Sequence, residues 1–326
     1  MPTEELTYRE AIVAALREEM QRDPTTLIMG EDIGASGGPF KTCLGLYEEF
    51  GPARVRDTPI AETGFVGAAL GLALTGFRPI VEIMFSDFLG VCFDQIVNGI
   101  AKHRFMSGGR VKVPLVIRSI GGGGLRFGAQ HSQTGESWML SVPGLKIVCA
   151  SAPDVAYTML KAAIRDDNPV LVIEHKALLS TKGDVAIGTE PDGALSGPKI
   201  LRTGRDATIV ASLAMVPRAL AAADLLSAGG IEAEVIDIRV LRPMDTRPIC
   251  KSVRKTHRLV TVEEQVQVGG WGAEVAAQVV HEAFDYLDAP PARVCLPDYP
   301  LPYSPALEDA ALPSPEAIAA AVRALV

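Results

Sequence analysis

No cysteine pair in this chain stands in C-x-x-C spacing, and its five cysteines (Cys43, Cys92, Cys149, Cys250 and Cys295) are scattered and odd in number. A disulfide framework is therefore not expected; the thiols should be reduced and mostly buried, as in a cytosolic protein. The five histidines are equally dispersed, so no zinc ligand set is visible. There is no run of Lys and Arg, and a net charge of −8 argues against a nucleic-acid footprint. The Gly-, Ala- and Leu-rich run from Phe65 to Phe77 is shorter than the roughly 20 apolar residues of a bilayer span. The start, MPTEELTYREA, has neither a basic n-region nor an apolar h-region, so no signal peptide is indicated and a cytoplasmic location is expected. No P-loop occurs.

What is present is the composition of a globular protein, 48% apolar and 21% charged. A chain of 326 residues is long for one core and comfortable for two domains. Thr7 followed by Glu10 forms a capping-box pattern that opens an amphipathic helix. Strands are predicted at Leu27–Met29, Pro79–Phe85, Pro114–Ile120, Leu145–Ala150 and Val170–Glu174, with helices at Phe65–Phe77, Leu89–Met106 and Pro153–Asp166. Strands apolar on both faces that alternate with helices predict an α/β fold with a parallel sheet covered on both sides. Lys176 to Asp206 is rich in glycine and proline and is expected to be the linker between residues 1–190 and a smaller α/β domain, 191–326. In that second domain strands are predicted at Ala207–Ser212, Ala233–Val240, Leu259–Val262 and Arg293–Leu296. Helices are predicted at Val216–Ala228, Thr246–Thr256, Gly272–Leu287 and Pro315–Leu325.

The stretch from Asp57 to Phe88, DTPIAETGFVGAALGLALTGFRPIVEIMFSDF, sets an acid, Glu62, at the edge of the apolar helix. It is either a helix-start carboxylate favoured by the macrodipole or a functional acid whose pKa desolvation would raise. GGGGLRFG (Gly121 to Gly128) follows a strand but lacks the helix and the acid of a dinucleotide site, and Gly269-Gly270-Trp271-Gly272 puts Glu274 where a small residue belongs. Both are turn glycines, and NAD is not expected. His131 is a loop histidine with no aspartate placed to orient it. Asp166-Asp167-Asn168-Pro169 is a helix-terminating turn.

Taken together, DTPIAETGFVGAALG, FDQIVN, AQHSQ, PGLKIV and IRDDNPV resemble the β subunit of the E1 component of thiamine-dependent 2-oxo acid dehydrogenases, from Tyr8 to about Leu325. That family includes the pyruvate, branched-chain 2-oxo acid and acetoin systems. The resemblance implies a pyrimidine-binding domain followed by a transketolase C-terminal-like domain. It implies that Glu62 hydrogen-bonds the aminopyrimidine of thiamine diphosphate, that Phe88 stacks on that ring, and that His131 lines the active-site channel. It also implies a structural potassium site, largely of backbone oxygens, at Leu115, Ala163, Asp166 and Asn168. Neither Gly-Asp-Gly nor Asn-Asn, which hold diphosphate and Mg²⁺ in thiamine enzymes, occurs here. The implied site is therefore shared with an E1 α subunit in an α2β2 heterotetramer, with the C-terminal domain docking the lipoyl-bearing E2. SDFLGVCFDQ and EHKALLSTKGDV lean to pyruvate and acetoin members, whereas SGGPFKTCLGL is closer to the branched-chain subfamily. The alternatives are a separate C-terminal subunit of a transketolase-like enzyme and a non-catalytic docking scaffold.

Overall fold

Residues 2–326 are described by a computed structural model. The first part of the chain runs β1 (Thr3–Thr7), α1 (Tyr8–Arg22), β2 (Thr26–Gly30), α2 (Leu46–Phe50), β3 (Val55–Asp57), α3 (Glu62–Leu74), β4 (Arg78–Ile83), α4 (Ala101–Met106), β5 (Val116–Gly121), β6 (Lys146–Cys149), α5 (Pro153–Arg165), β7 (Val170–His175) and β8 (Lys182–Ala186). The capping box forms as expected, with Thr7 and Glu10 each satisfying the other's backbone N–H. Strands β6, β7, β5, β4, β2 and β3 lie side by side and parallel. Their near-continuous apolar sequences follow from burial on both faces. In β7, Val170 and Val172 join a core with α1 and α5, while Leu171 and Ile173 join the opposite core with α3.

The second part runs β9 (Lys199–Arg202), β10 (Ala207–Ala211), α6 (Met215–Ser227), β11 (Ala233–Asp237), β12 (Val240–Arg242), α7 (Arg247–Thr256), β13 (Leu259–Val266), α8 (Trp271–Ala283), β14 (Ala292–Leu296), α9 (Pro305–Ala311) and α10 (Pro315–Arg323). Its sheet has the order β14-β13-β10-β11-β9, parallel except for the antiparallel β9. The segment expected to be a linker thus contributes β9 to this sheet, and β8 pairs antiparallel with β1. Short edge strands between glycines carry too little periodicity to stand out in sequence.

Two expected elements are corrected. The strand expected over Ala233–Val240 ends at Asp237; Arg239 takes a left-handed φ of 56°, and Val240–Arg242 crosses to pair antiparallel with β6 in the first sheet. Leu89–Met106 is not one helix. A 3₁₀ turn over Ser86–Gly90 and a π-helical turn over Gln95–Ile100 precede α4. Here the segment presses on α3: a Cβ at Gly67 would meet Gln95 Oε1 at 3.2 Å, and one at Gly99 would meet Leu70 at 3.3 Å. Among the described residues no helix is long and apolar enough to cross a membrane.

Candidate active site

Loops leaving the C-terminal ends of β2, β4, β5 and β7 converge at one end of the first sheet, the position where open parallel sheets place ligands. They carry Glu31, Phe85 with Phe88, the Gly121–Gln133 loop, and Lys176. Glu62 joins from the first turn of α3. Thr63 Oγ1 donates to the Val91 carbonyl at 2.8 Å, which ties this helix start to the turn that bears Phe88.

The rings of Phe88 and His131 lie 5.5 Å apart and nearly perpendicular, and Phe85 meets the same imidazole edge-on at 4.7 Å. Phe40 and Phe127 complete this aromatic cluster around Phe85. The two motifs are also joined by polar contacts. Gln133 Nε2, from AQHSQ, donates to Asp87 Oδ1 of SDF at 2.8 Å. The structure therefore brings Phe88 and His131 together directly and holds Glu62 at the neighbouring helix start.

Glu62 is buried, and among the described residues no hydrogen bond or ion pair reaches its carboxylate. Glu31, which sequence reasoning missed, is its electrostatic neighbour. Burial raises the Glu31 pKa, and the charges of Glu62 and Asp32 add to the effect; its Oε1 is buried without a partner. The only signal for Glu31 was its place directly after a buried strand. Lys176 was also missed. Its buried ammonium sits over the faces of Phe85 (5.2 Å) and Phe127 (5.3 Å) and donates to the His131 carbonyl. Burial lowers its pKa to about 8, against the raising influence of Asp87, Glu264 and Glu308.

The glycine loop is held by the second domain. Gly123 donates to Glu264, and Gly124 donates to Glu308 at 2.9 Å. Gly122 has a φ of 89°, and a Cβ there would overlap the ring of His175, whose Nε2 lies 3.0 Å from Glu264 Oε2. Close packing accounts for the glycine in a position where no side chain fits.

The four residues expected to bind potassium lie on neighbouring turns. The Leu115 carbonyl accepts from Val170 N at 3.0 Å and that of Ala163 from Asp166 N at 3.2 Å. Arg78 donates to the Asp166 carbonyl at 3.1 Å, and Arg104 donates to Asn168 Oδ1 at 2.5 Å. Among the described residues no cluster of three or more His, Cys, Asp or Glu side chains could hold a metal.

Residues 4–182 match the family model for the transketolase pyrimidine-binding domain, and residues 198–318 match that for the transketolase C-terminal domain. The chain is 45% identical to the rice mitochondrial pyruvate dehydrogenase E1 component subunit beta-2, over 98% of this chain and 86% of that protein. It is 46% identical to the Rickettsia felis pyruvate dehydrogenase E1 subunit beta, over 98% of both. Against the acetoin:2,6-dichlorophenolindophenol oxidoreductase subunit beta of Cupriavidus necator identity is 44%, over 98% of this chain and 96% of that protein. Among solved structures, a chain described as a split-gene transketolase in an inactive beta4 tetramer superposes with a TM-score of 0.79 at 26% identity, over 98% of both chains. Motifs, fold and relatives agree: the chain belongs to the β-subunit family of thiamine-dependent 2-oxo acid dehydrogenase E1 components, with the pyruvate and acetoin dehydrogenase β subunits among its relatives.

Proposed function

We propose that this chain is the β half of a thiamine-diphosphate-dependent E1 oxidoreductase. With an α subunit it decarboxylates a 2-oxo acid of the pyruvate type, or cleaves acetoin, and reductively acylates a lipoyl group. The observation that carries this reading is Glu62: a buried carboxyl without a partner, at the lip of an apolar helix, beside the turn that bears Phe88. The residues fit the pyrimidine half of thiamine diphosphate. The Glu62 carboxylate makes no hydrogen bond within the described residues, the Phe88 ring lies beside His131 at the same end of the sheet, and Glu31 offers an unpartnered carboxylate oxygen.

When bound, thiamine diphosphate supplies an acidic thiazolium carbon that serves as nucleophile toward the substrate carbonyl and as electron sink. The chain's own part is to bind and orient. The Glu62 carboxylate, which no side chain among the described residues occupies, is the acceptor that would hydrogen-bond the aminopyrimidine. Phe88 stacks an aromatic face, and His131 stands in the channel through which an acyl group must pass.

The partner is supported by what the fold leaves uncovered. Helix α3 is apolar on both faces, yet Gly64, Ala68 and Gly71 are exposed on its outer side. Nearby, Ile60 is 86% and Phe105 88% exposed. Apolar surface of this kind marks an interface. With no Gly-Asp-Gly or Asn-Asn, the diphosphate and Mg²⁺ are assigned to the α subunit, in an α2β2 assembly. The related split-gene transketolase chain, described as an inactive beta4 tetramer, is in line with a site that one chain type cannot complete. Docking of E2 on the C-terminal domain, a structural potassium at Leu115, Ala163, Asp166 and Asn168, and a cytoplasmic location belong to the same proposal.

Calorimetric titration of thiamine diphosphate with Mg²⁺ tests it, first into this chain alone and then into its complex with a Gly-Asp-Gly-bearing α partner. Binding confined to the complex is expected. Tight binding to the isolated chain would overturn the shared site, and no binding in either state would favour the scaffold. The same titration with KCl against NaCl, and a pull-down with E2, test the ion and the docking.

A further inference from the structure

Lys176 has no role in the mechanism above, yet it is the charge most tightly built into the cluster. A lysine ammonium is a strongly hydrated point charge with three donors. Here it is buried, and its one hydrogen bond among the described residues goes to the backbone carbonyl of His131. Its other near neighbours are two ring faces, Phe85 at 5.2 Å and Phe127 at 5.3 Å. Such a site suits cation–π attraction better than hydration. The carboxylates that act on it, Asp87, Glu264 and Glu308, do so without a hydrogen bond to its nitrogen.

Two groups around this ammonium also bear on the histidine. Phe85 is the ring that meets the His131 imidazole edge-on at 4.7 Å. Asp87 holds Gln133, two residues beyond His131. The segment between Gly124 and Gln133 contains no helix or strand, so its position depends on such ties.

We propose that Lys176 is the positioning residue for His131. Its ammonium, seated over the Phe85 and Phe127 rings and bonded to the His131 carbonyl, fixes the loop that presents the imidazole to the channel. The inference rests on the proposed function for its catalytic consequence, but the anchoring itself is a property of this chain alone.

The test compares Lys176→Met, which keeps the stem and removes the donor, with Lys176→Arg, which keeps cation and donor; Lys176→Gln serves if the methionine variant does not fold. In the full chain, amide exchange over residues 128–133 should accelerate about tenfold in the methionine variant, with exchange in β5 and β7 unmoved. In the reconstituted α/β complex, turnover with a lipoyl acceptor should fall about tenfold further than turnover with an artificial dye acceptor, and arginine should recover most of the difference. Unchanged exchange over 128–133 would overturn the anchor. An equal fall with both acceptors, or no rescue by arginine, would overturn the positioning of His131. A wild-type complex that turns over neither 2-oxo acid nor acetoin would sink the proposed function instead, and the exchange measurement would still decide the anchor.

Discussion

The first sheet buries two pairs of carboxylates and treats them in opposite ways. In its middle strands Glu82 and Glu174 flank Arg118, which donates twice to Glu174 (2.7 and 2.9 Å) and once to Glu82 (2.8 Å). Thr42 adds a further donor to Glu82 at 3.0 Å. The two acids outweigh the pull of burial and hold Arg118 more firmly protonated than usual. At the lip of the same sheet, Glu31 and Glu62 are also buried, yet no cation among the described residues pairs with either. The difference teaches which acids serve the fold. A buried carboxylate clamped by a fork of donors is a structural part, whereas one left open is costly to the fold and is kept where a ligand completes it.

The comparison breaks most visibly at Glu62. Replacing it with Gln keeps the shape and exchanges a carboxylate oxygen for an amide. Turnover in the reconstituted complex should fall by about 10²–10⁴-fold, while the unfolding midpoint of the chain stays at or above that of the wild type. A variant that is fully active would make Glu62 a helix-start residue and no more. The converse change is Arg118→Leu, which strands two carboxylates in the core. It should cost roughly 3–5 kcal/mol of stability by denaturant unfolding, and a loss below 1 kcal/mol would show that the triad is not the clamp described above.

A smaller effect is expected at Glu136, an open carboxylate of the domain junction. It is fully buried, and neither oxygen has a hydrogen-bond partner among the described residues, because Gln265 spends its amide on Thr134. Burial pushes its pKa from 4.5 up to about 8. The folded state then holds a proton that the unfolded chain releases, so the contribution of this group to stability is full below about 4.5 and is lost as pH rises through about 8. The buried Asp237, pushed up to about 6, contributes in the same direction. Glu136→Gln should flatten this slope and raise stability above pH 8 by roughly 1–3 kcal/mol. Parallel pH profiles for wild type and variant would rule Glu136 out as the titrating group.

Much of the site was legible because its motifs are local. The capping box at Thr7 and Glu10, the helix opening at Glu62, the Ser86-Asp87-Phe88 turn and the AQHSQ loop each announce themselves within a few residues, and the structure sets them at one end of the sheet. What escaped was pairing over distance. Lys176 is an ordinary lysine after a strand until Phe85 and Phe127, distant in sequence, close around it. The crossing of Val240–Arg242 into the first sheet was likewise hidden, since β11 and β12 follow one another with only Ile238 and Arg239 between them and Arg239 alone turns the chain.

The sequence by itself determined the alternation of apolar strands and helices, the order of the motifs and the missing diphosphate half. Those properties rest on periodicity, on capping and on residue identity, all written along the chain. Tertiary structure alone decided which acids are paired and which stand open, and where a buried ammonium sits. Burial and charge pairing are set by residues that meet only when the sheet has formed.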